Sequence, residues 1–139
     1  MVSIISLAAP HAHARDTEYQ LKIDDVLQDA EYRNKLGNSV RFYFGNQPAP
    51  HVEKAFGEFV TNKKTNSFGK PDEEACRWAM LSALIELRDR AGKLGGNAVT
   101  NIVSYFKKNT ASSESVYECH AGALIAGVAL KGNVVKLDK

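Results

Sequence analysis

The chain has 139 residues, 44% of them apolar, which suffices for one hydrophobic core and argues against a second domain. Lys and Arg number 18 against 16 Asp and Glu, a formal charge of +2 with the two signs interspersed. That balance argues against a nucleic-acid partner and gives no pull toward an anionic membrane surface.

The first 14 residues, MVSIISLAAPHAHA, carry no acidic or basic side chain and run apolar from Val2 to Ala9. They end in Ala12-His13-Ala14, the small-x-small form of a signal-peptidase site. The composition changes abruptly at Arg15-Asp16, although a positive segment ahead of the apolar run is missing. The expectation is a signal peptide over 1–14, cleaved near Ala14, and a periplasmic product consisting of one domain over 15–139. His11 and His13 would leave with the signal. No cysteine stands at the cleavage point to carry a lipid, and no later run approaches the ~20 apolar residues of a membrane span.

YQLKI (19–23) is read as a short strand, and residues 24–36 as a short helix stopped by Gly37. SVRFYFG (39–45) alternates Val40, Phe42 and Phe44 against Arg41 and Tyr43, the period of a half-buried strand. NQPAPH (46–51) has two prolines and is a loop. Residues 52–66 are rich enough in Phe, Val and Thr for another strand, which ends in a polar turn, NKKTNSFGK.

The strongest pattern is a helix over about 71–94. Pro71 suits a first turn, and Asp72, Glu73 and Glu74 put negative charge at the positive end of the helix dipole. Cys76, Met80, Ala83, Leu84, Leu87, Ala91 and Leu94 recur at spacings of three and four, one apolar stripe. Gly95-Gly96 ends the helix, because glycine takes the left-handed conformation without steric cost. NAVTNIVSYFKK (97–108) is read as a strand covered on both faces, NTASSES as a turn, and residues 116–130 as one long last strand.

Within that last strand Cys119 adjoins His120. Neighbouring strand residues point to opposite faces, so the two side chains do not meet on one metal or one substrate atom unless a bulge intervenes. Cys119 instead shares a face with Ala121, Ala123 and Ile125, small enough for close packing of the helix that carries Cys76. In an oxidising compartment this favours a Cys76–Cys119 disulfide over two free core thiols or metal ligation. Structural zinc wants four ligands at paired spacings, which two Cys and the remaining His51 and His120 do not supply.

The other candidates carry less. GKLGGNAV closes a helix rather than opening one, and cannot aim backbone N–H groups at a phosphate. The paired lysines Lys63-Lys64 and Lys107-Lys108 stand at strand ends, either as solvated turns or as a patch for an acidic partner. Trp78 lies off the main stripe with Leu81, Ser82 and Ile85, either as a contact for another subunit or as a wider buried face. Glu73 and Glu74 have no apolar setting that would raise one pKa for acid–base work. No catalytic residue, cofactor site or metal site is expected.

Four stretches carry a family resemblance: NSVRFYFG (38–45), TNKKTNSFGKPDEEACRWAMLSAL (61–84), LGGNAVTNIVSYFKKN (94–109) and YECHAGALIAGVALKGNVVKL (117–137). They resemble small exported bacterial proteins often mislabelled "excinuclease ATPase subunit", a label that the lack of any ATP-binding motif contradicts. More distantly, AGKLGGNAV followed by a strand is similar to the YbjQ-like domain, named for heavy-metal binding, and to the lipoprotein that senses envelope stress for the Rcs phosphorelay. In that sensor a cysteine on or near the helix is bonded to one just before the last strand's small-residue run, which implies the same pairing for Cys76 and Cys119. The resemblance implies an α/β sandwich: a mixed sheet of about four to five strands on the long helix, with a short N-terminal helix.

The functional expectation is a non-enzymatic periplasmic domain acting through contacts with an envelope protein, in envelope homeostasis. The alternative is a metal- or small-ligand-binding module of the YbjQ-like type using Cys119, His120 or His51. YbjQ-like domains form rings, which implies a homo-oligomer, with the Trp78 face as the contact.

Overall fold

The computed structural model describes residues 15–138, so the expected signal segment and its histidines lie outside the described residues. In chain order the elements are β1 (Thr17–Lys22), α1 (Asp24–Leu27), α2 (Ala30–Leu36), β2 (Arg41–Phe44), β3 (Val52–Asn66), α3 (Asp72–Leu94), β4 (Ala98–Ser104), a 3-10 turn (Phe106–Lys108), β5 (Val116–Ala121) and β6 (Ile125–Leu137). This is the expected mixed α/β class, with six strands rather than four to five. The single N-terminal helix is replaced by two short ones, broken where Asp29 caps α2 by accepting from the Tyr32 N–H at 3.1 Å.

The sheet is built around β6, which pairs along its whole length with β3 on one side. Its other side is shared: β5 takes Ala126 and Gly127, and β4 takes Leu130 to Val135. β1 adds outside β5, and β2 lies parallel to β4 at the far edge. Splitting one edge between two strands curls the sheet around α3.

Two expectations about strands are corrected. The strand expected over 116–130 is a hairpin, because the chain reverses after Ala121 and the Gly122 N–H donates to the Ile125 carbonyl at 2.8 Å. Ala123 is therefore in the turn, and Ile125 is 52% exposed instead of continuing the buried face of Cys119 and Ala121. A Cβ on Gly122 would stand 2.7 Å from the Arg15 carbonyl oxygen, so the turn needs glycine for close approach. The strand expected over 97–108 stops at Ser104, and Lys107 and Lys108 adopt positive φ of 51° and 65° in the 3-10 turn. At the other lysine pair, β3 runs on to Asn66, so Lys63 and Lys64 are strand residues pointing to opposite faces rather than turn residues.

Helix α3 buries Ala75, Cys76, Ala79, Met80, Ala83, Leu84, Leu87 and Ala91 in one cluster with Tyr117, Cys119, Val128, Leu130 and Val134 of the sheet. The alanines let the helix approach the sheet closely, and Cys76 is bonded to Cys119 with the Cα atoms 6.0 Å apart. Pro71 is the cap residue just outside the helix, and Gly95 (φ +85°) ends it in the left-handed conformation. Leu94, on the same stripe, is 38% exposed where it lines an open depression between β3 and α3.

The first residue of α3 also anchors the start of the described chain. The Arg15 guanidinium donates to both Asp72 oxygens at 2.6 and 2.8 Å, and the Tyr19 hydroxyl donates to the same carboxylate at 2.6 Å. These donors hold the Asp72 carboxyl at a pKa of about 2, below its ordinary 3.8. A folded-state pKa below the unfolded value means that the stabilisation is complete above pH 3.8 and is lost as pH falls toward about 2. Thermal melts across that window are expected to show a steeper loss of stability for the native sequence than for Asp72→Asn. Parallel curves would show that the clamp contributes nothing.

Candidate functional site

The opposite faces of β5 divide its chemistry. Tyr117, Cys119 and Ala121 point into the core, whereas Glu118 and His120 point to the other face two residues apart. β1 pairs antiparallel with β5 and sets Glu18 opposite His120. The His120 Nε2 lies 2.6 Å from Glu118 Oε2 and 3.7 Å from Glu18 Oε1. Its Nδ1 lies 3.0 Å from Asp16 Oδ1. Glu18, Glu118 and His120 each offer a donor atom within 4.8 Å of the others.

This histidine is held rather than loosely exposed. The Phe106 ring stacks on the imidazole with centroids 3.4 Å apart and planes 11° from parallel. The His120 and Glu118 side chains are each 12% exposed, while Asp16 and Glu18 are more than half exposed. The buried Ser104 hydroxyl accepts from the Glu118 N–H at 3.0 Å, fixing the backbone beneath the pair. The result is a half-sheltered N/O donor set with one open side.

Beside it runs a groove of about 440 Å³ walled by Phe106, His120, Gly122, Ala123, Leu124, Ile125 and Gly127, with Lys64, Arg15 and Asp16 at its rim. Leu124 is 63% exposed, and Phe68, 71% exposed, lies in the adjoining turn, tied to the hairpin by the Ser67 N–H donating to the Leu124 carbonyl. Large apolar side chains thus gather at one end of the molecule, where water gains from their being covered.

Of the residues that the sequence singled out, Cys76 and Cys119 are brought together as a disulfide. Lys64 reaches the groove, and Lys107 Nζ stands 5.4 Å from the centroid of its Phe106 wall. Lys63 instead pairs with Glu86 of α3, which lowers that carboxyl's pKa. Lys63 and Lys64 also edge a larger depression of about 830 Å³ between β3 and α3, where with Arg90 and Lys93 they outnumber the carboxylates Glu86 and Asp89, and its lining is more polar than apolar. Lys108 closes the 3-10 turn without lining the groove. Trp78 packs edge-on against Tyr32 of α2 at 4.9 Å, with Lys35 Nζ 5.8 Å from its ring centroid, so the ring is half-buried within the chain, while Ser82 and Ile85 of the same face line the depression between β3 and α3. His51 is remote in sequence and sheet position, paired at 3.0 Å with Asp138, and its side chain is 80% exposed.

Asp16, Glu18 and Glu118 were not anticipated. Two signals were present: Asp16-x-Glu18 and Glu118-x-His120 each place two donors on one strand face. Their convergence depends on the antiparallel register of two strands about a hundred residues apart, which spacing within either strand does not contain.

The fold and site together define a disulfide-stapled mixed α/β domain with a donor cluster at the mouth of an apolar groove. Comparison with protein families, with characterised proteins and with solved structures finds no match. Among the described residues, no helix is long and apolar enough to cross a membrane.

Proposed function

We propose that the protein is a non-enzymatic binding domain of the cell envelope that docks an extended, apolar segment of a partner protein in the groove beside His120. The observation that carries this reading is the clustering of exposed Leu124, Ile125 and Phe68 around a groove whose floor is apolar. Lys64 and Lys107 at its margin favour a partner segment with acidic groups flanking the apolar ones. Location in the envelope rests on the apolar first 14 residues and is supported by a buried disulfide, a bond that persists in oxidising compartments. The distant likeness to the Rcs stress-sensing lipoprotein supports a role in envelope homeostasis.

A photo-crosslinking amino acid at position 124 tests the docking. It is expected to trap a discrete protein adduct in the native envelope, and Ile125→Asp is expected to remove that adduct without lowering the unfolding midpoint, because Ile125 is half exposed. An adduct pattern identical to that of a probe at exposed Glu31, away from the groove, would overturn it.

The second reading, a metal- or small-ligand-binding module of the YbjQ-like type, is favoured by one observation, the convergence of Glu18, Glu118 and His120.

A further inference from the structure

We infer that Glu18, Glu118 and His120 form a binding site for one divalent transition-metal ion of the zinc class, with Asp16 positioning the imidazole. This deepens the second reading and is independent of docking in the groove.

The donors and their support both point this way. A metal-bound histidine ordinarily donates its remote ring N–H to a carboxylate, which fixes the tautomer and aims the other nitrogen's lone pair at the ion. Asp16 Oδ1, 3.0 Å from Nδ1, stands where that acceptor is required. Nε2 then faces the two glutamates, and the Phe106 stack prevents the ring from turning away. The 2.6 Å approach of Nε2 to Glu118 Oε2 sets these two donor atoms side by side, where one ion can meet both.

The spacing is nearly that of a coordination sphere. Bonds of about 2.0–2.1 Å in a tetrahedral site put donor atoms about 3.3 Å apart. The observed separations from Nε2, 2.6 Å to Glu118 and 3.7 Å to Glu18, straddle that value, and the two carboxylates offer oxygens within 4.8 Å of each other, so binding draws Glu18 inward and moves Glu118 slightly away from the ring. Glu18 is 58% exposed and free to make its part of the adjustment. One imidazole and two carboxylates suit zinc, cobalt, nickel or copper better than calcium or magnesium, which prefer all-oxygen shells. Three protein donors leave a fourth position for water or an incoming ligand. Thiolate takes no part, since both cysteines are consumed in the disulfide on the opposite face.

The experiment is calorimetric titration of the oxidised protein with Zn2+, repeated with Co2+ while following its visible spectrum. Saturable binding of one ion per chain is expected, with a rise in unfolding midpoint at saturating metal. Glu118→Gln, which keeps shape and removes the anionic donor, is expected to abolish the Co2+ spectrum. Asp16→Asn is expected to weaken affinity by about 10–100-fold while leaving the spectrum's shape intact, the mark of a positioning residue. His51→Ala is expected to change nothing. Absence of saturable binding, or binding that survives Glu118→Gln, or binding that is lost with His51, overturns the assignment. The unfolding midpoint of metal-free Glu118→Gln, if near that of the native sequence, shows that lost binding is not lost folding. If that variant unfolds, His120→Gln and Glu18→Gln decide the question by the same titration.

Discussion

Protein whose Cys76–Cys119 bond has been reduced is expected to unfold on the order of 15 °C below the oxidised form. The bond closes a loop of 43 residues. Constraining that loop in the unfolded chain is worth on the order of 4 kcal/mol. A loss of that size is a large part of the roughly 5–15 kcal/mol that holds a domain together, and for a chain of this length each kcal/mol shifts the midpoint by several degrees. Both sulfurs are fully buried, so reductant reaches them only after unfolding, and the reduced sample has to be prepared by denaturation and refolding with reductant present. Reduced native sequence is a better comparison than Cys76→Ser, which adds a buried hydroxyl to the loss of the cross-link. The pairing is overturned if unfolded, unreduced protein gives two thiols with Ellman's reagent. The stability claim is overturned if oxidised and reduced forms melt together.

The second large effect is expected from Leu84→Ala. Leu84 is fully buried at the middle of α3 within the main cluster. Removing its branched end loses the transfer energy of the deleted carbons and leaves a cavity, about 3 kcal/mol in total. The cluster it belongs to also contains the disulfide and several alanines, which have little freedom to collapse inward. The contrast is Leu94→Ala, at the C-terminal end of the same stripe. Leu94 is 38% exposed, and its truncation is expected to cost less than about 1 kcal/mol. Urea denaturation of the two variants reads both values directly. Equal effects would mean that the helix is seated differently on the sheet.

That pair of leucines also marks how far periodicity reaches. The spacing of three and four identified the α3 stripe from Cys76 to Leu94, because helical geometry alone sets which side chains share a face. How far the sheet covers that stripe is a property of the strands, and only the packed structure separates buried Leu84 from partly exposed Leu94. Likewise, β2 and β3 were legible as apolar alternation or β-branched runs between proline- and glycine-rich loops, whereas the hairpin inside 116–130 was not. Its turn, Ala123-Leu124, has none of the Asn-Gly or Asp-Gly chemistry that announces a hairpin. The reversal depends on Gly122 meeting the backbone of Arg15, a contact between residues 107 apart.

Local chemistry in the sequence determined three things about this protein: a long capped helix, the opposite facing of Cys119 and His120, and a cysteine pairing consistent with both. Each follows from the fixed geometry of one helix or one strand, so a few neighbouring residues suffice. The tertiary structure alone decided that His120 is met by Asp16 and Glu18, that Phe106 lies flat on its ring, and that Leu124 and Ile125 open a groove beside it. Those contacts depend on strand register and on where turns deliver their side chains, and both are set by the burial of the opposite face against α3 rather than by the residues that form the site.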